Sequence, residues 1–390
     1  MSYDFETLTP ARDKAPSAWN FVRSHGVTDP EAISYGVAEM KFPLAPEIAQ
    51  ALHECVDAGY FGYMHGYCAE AACDFLARRH GWKPEPEWLT NTYGVVAAIG
   101  MCIRAFTKPG EGVLIQTPVY NPFANNILLN GRTVVENPLR RSGDRYEMDF
   151  EDLERKAADP NTKMMVLCSP HNPVGRVWSR EELQRVSEIC LRHDVLVVSD
   201  EIHCDLIYGA EHTVYASLSE EAAHHCVVCT APSKTFNIPG LIYSAIFVPD
   251  EALRKTFRAE AELYCGHYLN GAGTAAAAAA YTKGDAWLDA MLEQLKENAA
   301  LFRRLTEEKL PGAWTPVMDG TYLAWLDLSY LGLDDDALEE LVVKKAQLDV
   351  NMGRVYGTGG NGFVRVNIGC PRRYVERFFD RLAAAIAELK

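Results

Sequence analysis

The fold is decided by residues 164–203, which read MMVLCSPHNPVGRVWSREELQRVSEICLRHDVLVVSDEIH. Two short apolar runs in this stretch, 164–167 and 196–198, have the length and composition of buried parallel strands. Between them, Ser179 and Glu182 have the spacing of a capping box at the start of a helix, and apolar residues then recur with helical spacing. Strand, helix, strand predicts a right-handed crossover and therefore an α/β fold.

The same alternation extends along most of the chain. Three more apolar runs predict buried parallel strands, at 113–115, 227–228 and 244–248. From about residue 285 the pattern changes to that of a smaller α+β unit. Its predicted elements are a helix over 286–309, a strand over 321–328, a helix over 335–347, a strand over 363–368 and a helix over 373–389.

Composition excludes several classes of protein. The chain has 390 residues with 53 acidic and 38 basic side chains, a formal charge of −15, which argues against nucleic-acid binding. No apolar run reaches the roughly 18 residues needed to span a membrane, and the N-terminus lacks the pattern of a secretory signal. Eleven cysteines, an odd number mostly in apolar runs, indicate reduced thiols and a cytoplasmic location.

One group of residues has the composition of a metal site. His224 and His225 precede Cys226 and Cys229. The segment between the two cysteines reads as a strand, however, and residues three apart on a strand point to opposite faces. We therefore expect no metal here.

Polar clusters follow four of the apolar runs, at 116–120, 169–173, 199–203 and 230–237. Because ligands of open α/β sheets bind beyond the carboxyl ends of the strands, we expect these clusters to meet at one edge. They offer the ring of Tyr120, the amide of Asn172, the carboxylate of Asp200 and the amine of Lys234. Pyridoxal 5′-phosphate (PLP) needs this set, together with donors for its phosphate, so the sequence predicts PLP as cofactor.

The sequence resembles the fold-type I PLP-dependent enzymes, and within them the MalY/PatB group of cystathionine β-lyases that includes cystalysin. The resemblance runs from YGVAEM at 35–40 to FVRVNIGCP at 363–371. Its most specific motifs are SPHNPVG at 169–175, SDEIH at 199–203 and SKTFNIPG at 233–240.

The resemblance implies an architecture. A large PLP-binding domain over 46–284 would carry a mostly parallel seven-stranded sheet sandwiched by helices. A small α+β domain would occupy 285–390, and the N-terminal segment 1–45 would contribute to it.

The resemblance also implies roles around the cofactor ring. Lys234 would attach the cofactor covalently and, once released by substrate, would be the base for the Cα proton. Asp200 would pair with the pyridine nitrogen, and Tyr120 would stack on the ring. Asn172 would hydrogen-bond the 3′-oxygen and contact the substrate carboxylate, and His203 would lie beside the cofactor.

The resemblance also implies which residues bind the cofactor phosphate and the substrate α-carboxylate. The backbone amides of Val95 and Val96, at a helix N-terminus, would bind the cofactor phosphate, with the hydroxyl of Ser233. Tyr63 would reach the phosphate from a second subunit, which implies a homodimer with shared active sites. Arg365 would bind the substrate α-carboxylate.

Two positions favour a lyase over an aminotransferase. Many aminotransferases of this fold have a phosphate-binding arginine where this chain has Ile242, and a tyrosine where it has His203. The predicted function is therefore a carbon–sulfur β-lyase that converts L-cystathionine or a related L-cysteine S-conjugate to pyruvate, ammonia and a thiol. An aminotransferase acting on an L-amino acid is the alternative, and a non-catalytic regulatory protein that keeps the cofactor is a third possibility.

Two regions depart from the group. Its N-terminal signature reads Ala-Asp-Met-Asp-Phe, whereas this chain has Ala-Glu-Met-Lys-Phe at 38–42, which puts the cation Lys41 where an acid is usual. The stretch 264–270 is also unusual. If either region lines the substrate entrance, we expect the preferred substrate to differ from cystathionine.

Overall fold

The computed structural model describes residues 3–9, 16–59, 61, 68–264 and 269–389, without the side chains of 16 and 17. The strands are β1 (Leu89–Asn91), β2 (Gly112–Ile115), β3 (Thr133–Glu136), β4 (Arg140–Ser142), β5 (Arg145–Glu147), β6 (Thr162–Cys168), β7 (Leu196–Asp200), β8 (Cys226–Thr230), β9 (Ala245–Phe247), β10 (Leu323–Asp327), β11 (Asn351–Met352) and β12 (Phe363–Asn367). The helices are α1 (Pro16–Ser24), α2 (Pro46–Ala58), α3 (Ala69–His80), α4 (Val95–Phe106), α5 (Pro122–Leu129), α6 (Phe150–Ala157), α7 (Arg180–Arg192), α8 (Glu220–His224), α9 (Pro232–Thr235), α10 (Glu251–Glu262), α11 (Gly271–Lys283), α12 (Asp285–Lys309), α13 (Asp335–Glu339) and α14 (Arg372–Ala387).

The main sheet has seven strands in the order β1-β9-β8-β7-β6-β2-β3. Along the sheet, β3, β2, β6, β7 and β8 each run parallel to the next strand, whereas β9 is antiparallel to both β8 and β1. The predicted mostly parallel seven-stranded sheet is thus confirmed. The prediction that 244–248 is a parallel strand is wrong, because β9 pairs antiparallel with both of its neighbours and forms an antiparallel margin of the sheet with β1.

The sheet separates two hydrophobic cores, which is why its strands are buried on both faces. Val113 and Ile115 of β2 belong to one core, while Leu114 belongs to the other. This alternation follows from the two-residue period of a strand. The predicted capping box is also present, with Ser179 accepting from the backbone N–H of Glu182 at the start of α7.

The C-terminal part contains a three-stranded antiparallel sheet in the order β10-β12-β11, and its long helices α12 and α14 pack against each other. The helix predicted over 335–347 begins as α13 but continues as a π-helix over Glu340–Lys345. Gln347 then has a φ of 56°, which ends the helical path. The domain boundaries at 45 and 284 stay a prediction.

The sequence also predicts reduced cysteines and no membrane-spanning segment. Cys226 and Cys229 lie in β8, as expected for a strand. All of the cysteines that the structure describes are free thiols, and only Cys55 among them is not buried. Within the same residues, no helix is long and apolar enough to cross a membrane.

Candidate active site

A cavity of about 250 Å³, here called the cofactor cavity, lies at the carboxyl ends of β6, β7 and β8 and at the start of α4. Its lining includes eight residues predicted from the sequence, namely Val95, Val96, Tyr120, Asn172, Asp200, His203, Ser233 and Lys234. The prediction that the polar clusters meet at one sheet edge is confirmed.

Lys234 lies on the short helix α9, which follows β8 directly. Its Nζ donates a hydrogen bond of 2.8 Å to the carbonyl oxygen of Ala38. Burial lowers the pKa of Lys234 to about 8, although the carboxylate of Glu39 opposes the shift. The amine is therefore close to deprotonation at neutral pH, as a nucleophile and base must be.

A buried network fixes the residue next to this lysine. The carboxylate of Asp205 accepts a hydrogen bond of 2.7 Å from the hydroxyl of Thr235 and lies 2.7 Å from Nε2 of His80. The sequence analysis assigned no role to these residues, because they meet only when α3, α9 and the segment after β7 are packed together. The network holds α9, and with it Lys234, against the main sheet.

Asp200 ends β7 and is buried, at 4% exposure. Its Oδ1 accepts one hydrogen bond, of 3.1 Å from the backbone N–H of Ile202, and no ion pair to it is found within the described residues. Burial raises the pKa of Asp200 to about 7. A buried carboxylate without a cation favours a ligand that brings a cationic N–H, and a protonated pyridine nitrogen is such a group.

His203 and Tyr120 supply rings to the same cavity. Burial, with Lys234 and Arg365 nearby, lowers the pKa of His203 to about 3, so the imidazole is neutral. Its Nδ1 is buried and has no hydrogen-bond partner among the described residues. Tyr120 is half-buried, and its backbone N–H donates to the carbonyl of Asn172 over 3.1 Å. Both rings are positioned to contact a planar ligand.

The opposite end of the cavity suits an anion. Helix α4 begins at Val95 without a side-chain cap, so its first amide N–H groups are free to bind a ligand. Gly94 precedes it with a φ of 116°, a conformation that L side chains rarely adopt, and its N–H donates to Oγ of Ser244 over 3.3 Å. Ile242 lines the same cavity.

A second cavity of about 490 Å³, the substrate chamber, shares Ala38, Tyr120 and Lys234 with the first. It contains Arg365 of β12, which is 2% exposed. Arg365 donates to Oδ1 of Asn172 over 3.2 Å and to the carbonyl of Gly36 over 2.6 Å, while its buried Nε has no partner in the part of the chain that the structure describes. Because no acid pairs with this buried guanidinium in the described residues, it fits the carboxylate of a ligand.

The segment 36–40 closes the site through its backbone, which sequence reasoning missed. The carbonyl of Ala38 accepts from Tyr322 as well as from Lys234. Asn367 donates to the carbonyls of Val37 and Glu39. The pattern of side chains in the sequence cannot predict these contacts, because the acceptors are main-chain carbonyl oxygens.

Two sequence predictions concern residues that the structure does not describe. Tyr63 lies outside the described residues, as do residues 265–268 of the unusual stretch 264–270. Their predicted roles stay predictions.

Residues 31–382 match the family "Aminotransferase class I and II", and the chain belongs to this family. It is 43% identical to "Cystathionine beta-lyase PatB" of Bacillus subtilis (strain 168) over 365 residues, which cover 93% of this chain and 94% of that protein. It is 32% identical to "Protein MalY" of Escherichia coli (strain K12) over 395 residues, the full length of both.

Solved structures agree. The fold matches cystalysin from Treponema denticola, whose structure contains a pyridoxal 5′-phosphate cofactor, with a TM-score of 0.97 and 36% identity over all of both chains. It also matches the PLP-bound C–S lyase from Staphylococcus hominis, with a TM-score of 0.91 and 30% identity over 99% of this chain and 98% of that one. The predicted fold-type I architecture and the resemblance to the MalY/PatB group are confirmed.

Proposed function

We propose that the protein is a PLP-dependent carbon–sulfur β-lyase whose substrate is L-cystathionine or a related L-cysteine S-conjugate. The observation that carries the proposal is its relationship to lyases. Similarity to proteins named cystathionine β-lyase reaches 43% identity, against 25% for an aromatic-amino-acid aminotransferase of Thermococcus litoralis. The products are pyruvate, ammonia and a thiol.

The residues of the cofactor cavity fit PLP. Lys234 offers an amine whose pKa is lowered to about 8, and Asp200 offers a buried carboxylate that forms no ion pair with any described residue. The uncapped start of α4 offers amide donors for a phosphate. When bound, PLP acts as an electron sink that makes the Cα proton of an amino acid acidic.

Arg365 and Asn172 orient the substrate. The two side chains already contact each other at 3.2 Å, and both are buried. A substrate α-carboxylate placed on the guanidinium would gain charge-assisted hydrogen bonds in a site screened from water. This fixes the Cα of the substrate near Lys234, which lines the same chamber.

Lys234 then moves the proton. Its amine, freed from the carbonyl of Ala38, takes the proton from Cα, and its pKa near 8 matches this role at neutral pH. Asp200 would hold the pyridine nitrogen of bound PLP protonated, which would keep the ring effective as an electron sink. The bond between Cβ and sulfur breaks, the thiolate leaves with the electron pair, and water converts the remaining carbon skeleton to pyruvate and ammonium.

The aminotransferase alternative shares the site and differs in outcome. His203 and Ile242, both in the cofactor cavity, occupy positions where many aminotransferases have tyrosine and arginine. These two residues support the lyase. Incubation of the PLP-loaded protein with L-cystathionine tests the choice: equal amounts of pyruvate, ammonium and L-homocysteine are expected. Conversion of the cofactor to its pyridoxamine form without pyruvate would favour the aminotransferase instead.

The assembly and location are part of the proposal. A homodimer in which Tyr63 of the partner subunit reaches the phosphate would complete the anion site. The acidic composition supports a small-molecule substrate instead of a nucleic acid. The high content of free thiols supports a cytoplasmic location.

A further inference from the structure

Asn237 joins the short helix that carries Lys234 to the segment 36–40. It lies two residues after α9, and its φ of 56° is in the left-handed region. Its Oδ1 accepts a hydrogen bond from the backbone N–H of Met40, and its Nδ2 donates one to the carbonyl of Met40, each over 2.8 Å. One amide side chain therefore satisfies both backbone groups of a single residue. The proposed mechanism gives Asn237 no role.

The helix α9 cannot hold Lys234 in place by itself. It has only four residues and no side-chain cap at its start, and a single isolated turn of helix is unstable in water. Contacts made outside the helix must therefore fix it. Thr235 provides one anchor on the side of the main sheet, through Asp205. Asn237 provides another anchor, on the side of the segment 36–40.

The segment 36–40 is also bound to the C-terminal sheet. Arg365 and Asn367, both on β12, donate hydrogen bonds to three of its carbonyl oxygens. A fourth carbonyl, that of Ala38, accepts the hydrogen bond from Lys234. The segment therefore bridges the guanidinium that would bind the substrate carboxylate and the amine that would act as base.

This bridge sets the distance between two functional groups on different elements. A substrate held by its carboxylate on Arg365 presents its Cα at a fixed point of the substrate chamber, and the amine of Lys234 must reach that point. Asn237 closes the connection, because it ties the backbone after Lys234 to the segment that Arg365 also contacts. A misplacement of about 1 Å between reacting groups costs about a hundredfold in rate.

We propose that Asn237 is a positioning residue for Lys234, and that it holds the amine in register with the carboxylate site so that the amine meets the Cα proton of the substrate. The inference rests on the proposed function for the role of Lys234 as base. It does not depend on the sulfur leaving group, because removal of the Cα proton does not require one. Glycine adopts a positive φ without strain, so the side-chain bonds of Asn237 can be removed while the backbone is kept.

N237G is therefore the test variant. The PLP-loaded protein is incubated with L-alanine in D2O, and exchange of the Cα proton is followed by NMR. We expect kcat for this exchange to fall by about ten- to a hundredfold, because the amine is misplaced. KM should change by less than about threefold, because Arg365 keeps its contacts with the segment 36–40. α-Deuterated L-alanine exchanging into H2O should show a larger isotope effect on kcat in N237G than in the wild type, since proton transfer is the step that is slowed.

Backbone hydrogen exchange checks the physical cause independently of turnover. The N–H of Met40 should exchange with solvent at least about tenfold faster in N237G, because its acceptor is lost. The N–H of Lys41 should be unchanged, since it donates to the carbonyl of Gly369 over 2.6 Å. A faster exchange at Met40 alone would show that the variant frees the segment locally and does not unfold it.

N161G is the matched control. Asn161 is exposed and directly precedes β6, at the end of the strand opposite to the cofactor cavity, and its side chain donates to the carbonyl of Gly110 over 3.1 Å. N237A removes the same bonds as N237G and adds strain at a positive φ, so it should match N237G in kcat and be less stable. Wild-type kcat in N237G would overturn the inference, and so would an equal loss of kcat in N161G. A loss in N237A without one in N237G would also overturn it, because Asn237 would then serve only its own backbone.

Failure of the proposed function has a different signature. A wild-type protein that exchanges the Cα proton of L-alanine but releases no pyruvate from L-cystathionine is not a β-lyase, whereas the variants still test the role of Asn237. A wild type that does not exchange the proton contradicts both. If N237G does not fold, N237S takes its place, because the shorter hydroxyl cannot bond to both backbone groups of Met40.

Discussion

Replacement of Arg365 tests the substrate-binding assignment most sharply. The guanidinium is buried and lacks an acidic partner in the described residues, so a substrate carboxylate is the anion it is built to receive. R365L removes both Nη donors, and R365K retains one charge without the planar pair of N–H groups.

The expected magnitude follows from the number of contacts. A hydrogen bond to a charged group contributes about 1.5–3 kcal/mol, so two of them contribute about 3–6 kcal/mol. At about 1.4 kcal/mol per tenfold change, kcat/KM in R365L should fall by roughly two to four orders of magnitude. R365K, with one contact kept, should lose about one to two orders.

Pyruvate formation at several L-cystathionine concentrations measures both constants. Most of the loss should appear in KM, because the carboxylate is bound in the ground state as well as in the transition state. PLP absorbance checks that the cofactor is still bound. R303L is the control, since Arg303 pairs with Asp144 on the surface and such pairs contribute about 0–1 kcal/mol. If R365L keeps kcat/KM within about threefold of the wild type, the assignment is wrong.

Three other substitutions address the cofactor cavity. K234A should reduce pyruvate formation by at least about a thousandfold, because the base and the attachment point are lost together; wild-type turnover would contradict this. D200N tests how stability depends on pH in the cofactor-free protein. Folding raises the pKa of Asp200 from 3.8 to about 7, so the protonated carboxyl stabilises the folded state at low pH. This contribution of Asp200 is lost as the pH rises from about 4 to about 7. The urea concentration at the unfolding midpoint should fall more steeply with rising pH, between pH 4 and 7, for the wild type than for D200N. Parallel curves for the two proteins would show that the pKa of Asp200 is not raised. G94A should lose about 1–2 kcal/mol of unfolding free energy, because Gly94 has a φ of 116°, and should weaken PLP binding as measured by titration; an unchanged affinity would argue against a phosphate at this turn.

The sequence predicts the chemistry of the site better than its geometry. Asp200 and Lys234 could be placed because polar residues that follow apolar strands meet at one sheet edge, and this rule needs no tertiary contacts. The roles of the Ala38 carbonyl and of Asp205 could not be predicted in this way. The first is a main-chain acceptor, and the second acts through His80 and Thr235, which are distant in sequence.

The errors in the fold have a similar origin. Strand β9 is predicted to be parallel because its residues are as apolar as those of the parallel strands, and apolar composition does not distinguish a parallel from an antiparallel strand that is buried on both faces. The π-helix after α13 was missed because its residues have ordinary helical composition, and the change in hydrogen bonding is not visible in the sequence.

Chemical trapping of the cofactor tests the central claim most directly. The PLP-loaded protein is reduced with borohydride, digested and analysed by mass spectrometry. We expect one covalent adduct per chain, on the peptide that carries Lys234. An adduct on Lys41, the other half-buried lysine near this site, or no adduct at all, would contradict it.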